Sequence, residues 1–225
     1  MSDGGGLLVV IAGPSGVGKG TVHARVRERL EDSVLSVSVT TRPPRPGERE
    51  GVDYRFVSRD DFSRLVREGE LLEWATYAGN EYGTPRAPVQ EAIARGEVVV
   101  LDIEVQGALQ VKAHDPDALL VFLVPPSFDE LERRLRNRGT EDEASLARRL
   151  ARARDELATA EAFDVQVVND DLETCVDEVL GLVRAARRSA DSADHGDSAD
   201  CAGSADCVGS VVRVDSVDPT RPDER

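Results

Sequence analysis

The chain has 225 residues, 40% of them apolar, and a net charge of -15. That length suits one large domain or two small ones, and the charge argues against nonspecific attraction to nucleic acid or an anionic membrane. The three cysteines, Cys175, Cys201 and Cys207, lack the paired spacings of a disulfide framework or a zinc site. No run of about 18 apolar residues marks a membrane span. The opening MSDGGG lacks a basic segment leading into an apolar stretch, so a cytoplasmic location is the expectation.

The first predicted element is the strand Leu7–Ala12, "LLVVIA", followed by "GPSGVGKGT" and a helix over Gly18–Leu30. A strand is expected over Val34–Ser38. Turn-rich text with short strands then fills Thr40–Arg86 and holds Trp74 and all three tyrosines, Tyr54, Tyr77 and Tyr82. It looks like an inserted lobe (about 39–86), with Trp74 best suited to its core. Strands Val98–Ile103, Leu119–Val124 and Val165–Val168 alternate with helices Val105–Ala113, Phe128–Asn137, Glu143–Glu161 and Leu172–Arg187. Ser127 with Glu130 forms a capping-box pattern. Near-continuous apolar strands suit burial on both faces, so the pattern predicts an α/β fold with a parallel sheet flanked by helices. From Ser189 onward Ser-Ala-Asp occurs four times and large apolar side chains are lacking. Such text cannot offset chain entropy, so 189–225 is expected to be a disordered acidic tail on a domain of 1–188.

The loop Gly13, Pro14, Ser15, Gly16, Val17, Gly18, Lys19, Gly20 and Thr21 matches G-x-x-x-x-G-K between a strand and a helix, the context a phosphate loop requires. Glycines let backbone amides turn toward phosphate oxygens, the helix start adds partial positive charge, and Lys19 can reach the outer phosphates. Gly20 stands where a hydroxyl usually completes the magnesium shell. Either Thr21 contacts phosphate or metal, or water fills the place, since Mg²⁺ readily keeps waters. Adenylate kinases resemble this stretch, with the same Lys-Gly-Thr order. "VVVLDIEVQG" puts Asp102 at a strand end, where a carboxylate can hold Mg²⁺ through water, and Glu104 two residues on faces the same side. Arg42 and Arg45 flank two prolines that fix their presentation, and the guanidinium fork suits phosphate. His23 reads as a helix-surface residue, His114 as a loop residue and His195 as tail.

Taken together, "GPSGVGKGT", "SVSVTTRPPRPGEREGVDYRF", "GELLEWATYAGNEYGTP", "VLDIEVQG", "RNRGTEDEASLARRL" and "VVND" resemble the guanylate kinase family over about residues 7–187. The resemblance implies a P-loop core (7–38 and 87–187), a GMP-binding lobe and a mobile helical lid at about 137–152. It assigns Arg42, Arg45, Tyr54 and Tyr82 to the GMP phosphate, and Ser38, Glu73 and Thr84 to guanine, with Glu104 nearby. It makes Arg134, Arg138 and Arg149 phosphate-clamping arginines, with Lys19, Arg42, Arg138 and Arg149 catalytic. It sets Asn169 near the adenine of ATP. The implied substrates are ATP with GMP or dGMP, assisted by Mg²⁺ and without an obligate protein partner. The rival readings are an inactive phosphopeptide-binding module on the same fold and a P-loop kinase for another small phosphate acceptor.

Overall fold

A computed structural model of the protein describes residues 5–77, 79–137 and 143–194. In chain order the elements are β1 (Leu7–Ala12), α1 (Lys19–Arg29), β2 (Ser33–Val34), β3 (Val39–Thr40), β4 (Arg55–Phe56), α2 (Arg59–Arg67), β5 (Leu71–Tyr77), β6 (Asn80–Pro85), α3 (Arg86–Ala94), β7 (Val98–Asp102), α4 (Val105–His114), β8 (Leu119–Val124), α5 (Phe128–Arg136), α6 (Glu143–Leu157), β9 (Val165–Val168) and α7 (Leu172–Asp194). A parallel sheet runs β2-β7-β1-β8-β9, and a second, mixed sheet runs β4-β3-β6-β5.

The parallel sheet explains its own sequence. β1 is buried along its whole length, and its side chains alternate between two cores. Leu7, Val9 and Ile11 pack with α1, α5, α6 and α7, through residues such as Val22, Leu131, Leu146 and Val179. Leu8, Val10 and Ala12 pack on the other side with α3 and α4, through Val89, Ala108 and Val111. A strand covered by helices on both faces has no polar side, so it reads as an unbroken apolar run. Arg187 fastens the end of the sheet away from the phosphate loop. It is 9% exposed, and its guanidinium meets Asp32 Oδ2 at 2.6 Å and the carbonyls of Gly5 and Gly96 at 3.2 Å.

Several expectations change. Of the segment expected as a strand over Val34–Ser38, only Val34 joins β7, together with Ser33 just before it, and Val39–Thr40 crosses to the second sheet. The helix expected over Glu143–Glu161 ends at Leu157, and Ala160–Ala162 form a 3₁₀ turn. The last helix continues through Asp194, so residues 189–194 extend it rather than begin the tail; 195–225, His195 included, lie outside the described residues. Two helices went unanticipated. α2 is short and charged, and it is started by Ser58, whose hydroxyl accepts the Asp61 N–H. α3 follows Pro85 and carries Pro88 in its first turn, where proline is tolerated. α2 supplies Phe62 and Leu65 to the lobe's core beside Val39 and Leu71. Those side chains fill it, and Trp74, expected there, is 41% exposed.

The lobe is pinned to the main body through α4. Gln110 uses its amide as a strand would, accepting the Trp74 N–H at 3.1 Å and donating to the Trp74 carbonyl at 3.0 Å. His114 ends α4 rather than lying in a loop, and its Nδ1 is 2.8 Å from the Leu72 carbonyl oxygen. Among the described residues, no helix is long and apolar enough to cross a membrane.

Candidate active site

The turn from β1 into α1 is a rigid cradle. Gly13 has φ 149° and Gly18 has φ 102°, values that disfavour side chains. A Cβ on Gly13 would lie 2.5 Å from the Leu123 carbonyl oxygen, and one on Gly18 would lie 2.6 Å from Asn169 Nδ2. The loop therefore closes against β8 and the end of β9. Asn169 is 6% exposed and donates from Nδ2 to the Val17 carbonyl at 2.7 Å. Arg134 donates to the Val17 and Asn169 carbonyls at 3.3 and 3.0 Å. Both residues thus brace the loop from behind. Lys19 curls over the cradle, with Nζ 2.8 Å from the Gly13 carbonyl oxygen.

The cradle opens into a cavity of about 580 Å³ that continues to the lobe. It is lined by Lys19, Gly20, Thr21 and Asp102 of the main body, by Ser38, Tyr54, Glu73 and Tyr82 on the side of the lobe, and by Glu104 at the start of α4. Glu73 is 7% exposed and accepts the Thr84 hydroxyl at 2.6 Å, across a register pair of β5 and β6. Burial raises its carboxyl above the usual range, and the two hydrogen bonds from Thr84 offset part of that. Thr84 is fully buried behind Glu73, so its hydroxyl orients the carboxylate. The carboxylate has room because residue 107 is glycine: a Cβ there would stand 2.6 Å from Glu73 Oε2.

One cavity with a phosphate cradle at one end and a desolvated carboxylate at the other is the arrangement of a two-substrate kinase. The family model for guanylate kinase matches residues 6–186. The chain belongs to the guanylate kinase family. It is 56% identical to a guanylate kinase of Thermosynechococcus vestitus over 168 residues, covering 75% of this chain and 88% of that protein. It is 56% identical to one of Thermobifida fusca over 178 residues, covering 79% and 91%. The crystal structure of a guanylate kinase from Anaplasma phagocytophilum superposes with a TM-score of 0.65 at 36% identity, over 83% of this chain and 89% of that one.

The remaining residues assigned by guanylate kinase resemblance are placed as follows. Arg42 is 9% exposed and lies behind Tyr54, its guanidinium 5.4 Å from the ring centroid. Its two terminal nitrogens meet Glu48 at 3.0 and 2.8 Å, and Glu48 also accepts the Arg45 N–H at 2.7 Å. The Glu48 contact pushes Arg42 up and, with the Arg45 amide, holds Glu48 below the usual carboxylate range. Glu48 was missed in the sequence; an acid three residues after Arg45 was its signal. The Arg45 side chain is exposed and outside the cavity lining. Tyr54 and Tyr82 pack edge-on, 6.2 Å apart. Arg149 on α6 donates to Ser15 Oγ at 2.8 Å, which brings the lid-side helix to the phosphate loop. Arg138 lies outside the described residues. Ser127 accepts the Glu130 N–H at 3.1 Å, but the Glu130 side chain turns to Arg133 and Arg134, which hold its pKa at about 2.

Asp102 is the cavity carboxylate that would hold a magnesium ion together with substrate phosphates. Among the described residues no three His, Cys, Asp or Glu side chains gather as a cage, and Mg²⁺ is commonly held by one or two carboxylates plus substrate phosphates. A Cβ on Gly20 would lie 3.8 Å from Asp102 Oδ2, so the position lacking its usual hydroxyl faces this carboxylate. Asp102 ends β7, the one exposed residue of that strand, and lines the cavity. Crowding raises its carboxyl, while Lys19 and His23 draw it down and Glu104 adds a push upward. His23 is half-buried, not a free surface residue, and its Nε2 lies 3.1 Å from the Val100 carbonyl oxygen.

Proposed function

We propose a division of labour for the guanylate kinase reaction, in which ATP phosphorylates GMP to give ADP and GDP. The observation that carries it is the shared cavity, with amide cradle and buried carboxylate at opposite ends. The cradle and Lys19 take the β- and γ-phosphates of ATP. Glu73, held by Thr84, accepts the N1–H and amino group of guanine. Adenine has an acceptor at N1 and would meet that carboxylate badly. Ser38 and Glu104 complete the base pocket. Tyr54, Tyr82, Arg42 and Arg45 take the GMP phosphate, with Arg42 held ready by Glu48. dGMP fits the same reading.

A phosphate oxygen of GMP attacks the γ-phosphorus, and the bond to the β-bridging oxygen breaks. The second pKa of the GMP phosphate lies near ~6, so the acceptor is mostly ionised at neutral pH and needs no general base. The barrier is the meeting of two anions in line. Lys19 and the arginines neutralise charge and fix geometry, which is how phosphoryl transfer is accelerated. Asp102 would hold Mg²⁺, which would supply charge neutralisation at the ATP phosphates. Arg149 approaches the loop from α6, with Arg138 as its expected companion, and excluding water at that point protects the phosphoryl group from hydrolysis. An intact cradle with Lys19 and Asp102 disfavours the phosphopeptide-binding alternative, and Glu73 disfavours other acceptors. The test is coupled ADP release with GMP, dGMP, AMP and UMP side by side. GMP and dGMP are expected to be turned over and AMP and UMP to give little signal; equal turnover of AMP overturns the assignment of Glu73.

A further inference from the structure

Arg152 is a second arginine of α6 near the phosphate loop, and nothing above gives it a task. Its guanidinium is divided between two carboxylates. Nη2 donates to Glu104 Oε2 at 2.7 Å, and Nε donates to Glu156 Oε1 at 2.8 Å. The Glu156 contact alone would be an ordinary helix pair, four residues apart. The Glu104 contact is not, since it crosses 48 residues of sequence to the acceptor end of the cavity. Glu156 is 9% exposed and turns its other oxygen to the phosphate loop, accepting the Ser15 N–H at 3.3 Å. A continuous path of hydrogen bonds therefore joins the acceptor pocket to the donor cradle, with one cation at its middle.

We propose that Arg152 couples the two nucleotide sites: it holds Glu104 while the donor site is empty, and the donor triphosphate draws it away, releasing Glu104 to the acceptor's base. The reason is electrostatic. A guanidinium shared between anions moves toward the larger negative charge, and a triphosphate in the cradle adds several charges at the Ser15 end of the path. The pair being loosened is weak, because the Arg152 and Glu104 side chains are 52% and 48% exposed. Long side chains in such a pair exchange partners readily. A ligand shifts this balance only by its preference for one arrangement, and the coupling works equally in both directions. The proposal rests on the reading of Glu104 as part of the acceptor pocket.

The test is calorimetric titration of GMP into the full chain with Mg²⁺, with and without β,γ-imido ATP. For the parent, GMP is expected to bind at least about three-fold more tightly when the analogue is present. Arg152→Met is expected to bind GMP alone as tightly as the analogue-loaded parent, with no further gain from the analogue. Arg152→Lys, which keeps the charge, should retain part of the gain. The Arg152 side chain is half-exposed, so its substitution leaves the fold intact, and an unchanged melting temperature checks this. A parent without any gain, or a gain kept in full by Arg152→Met, overturns the proposal. If AMP binds in place of GMP, the guanylate reading fails, and the same ratio measured with AMP still judges the coupling.

Discussion

The donor cradle and the acceptor lobe are built in opposite ways. The cradle grows out of β1, whose every side chain is buried between two helical layers, and its turn is closed by Leu123, Asn169 and Arg134. The lobe stands on a buried core of Val39, Phe62, Leu65 and Leu71, and it arranges its binding groups through polar contacts such as Arg42 with Glu48. On the assignment proposed above, the donor phosphates would meet mainly backbone amides, and such a cradle tolerates little movement. The base would meet side chains held by others, and few buried apolar contacts mark the part of a protein that opens most easily.

The sharpest way to break the comparison is at the cradle. Lys19→Met is expected to lower turnover on the order of 100- to 1000-fold, as loss of one charge-stabilising donor does, while the melting temperature holds. Near-parent turnover would remove Lys19 from the mechanism. In the lobe, Phe62→Ala should cost about 3–5 kcal/mol locally. Hydrogen exchange should then quicken in β3, β5 and β6 and stay slow in β1 and β8; uniform quickening would show that lobe and core unfold together.

Gly107→Ala tests the base site without touching it. The added methyl displaces the Glu73 carboxylate, and loss of a buried hydrogen bond to ligand at about 1–3 kcal/mol raises KM for GMP roughly 5- to 160-fold, with KM for ATP unchanged. The raised Glu73 pKa sets a pH dependence of definite sign. Guanine needs the carboxylate, so GMP affinity falls as pH is lowered through the raised value, at higher pH than for an ordinary glutamate. Glu73→Gln should keep only the part due to the GMP phosphate. By the same linkage, ionised Glu73 costs folding stability as pH rises, so Glu73→Gln is expected to melt higher at pH 7 while binding GMP worse. The smallest effect is at Gly20→Ser, where the new side chain has ordinary room beside Asp102. It should fold normally and lower the Mg²⁺ concentration for half-maximal rate, read also as tighter Mn²⁺ binding by electron spin resonance.

Legibility in the sequence followed the same division. β1 and β8 were readable to the residue because strands buried on both faces are apolar throughout; β9, at the sheet edge, was readable although Gln166 interrupts its apolar run. The phosphate loop was readable because backbone geometry demands glycine at fixed spacings. α2 was not: in "RDDFSRLVR" the aromatic and aliphatic residues serve a small lobe, and the charged majority masks them. α3 was hidden by Pro85 just before it and Pro88 within it, since prolines punctuate a sequence as breaks. In the site, Glu73 was legible through family resemblance, but Gly107 and Glu48 act through neighbours, and a residue whose work is to leave space or hold another side chain has no motif of its own.

Gln110 has one more consequence. Its amide grips Trp74, the residue next to Glu73. Points near a fixed attachment travel little when the attached body swings, and distant points travel far. Any rocking of the lobe about that grip carries Tyr54 and Arg42 through wide arcs and leaves Glu73 nearly still. On the proposed assignment, the purine would be checked at the axle before the rim delivers its phosphate.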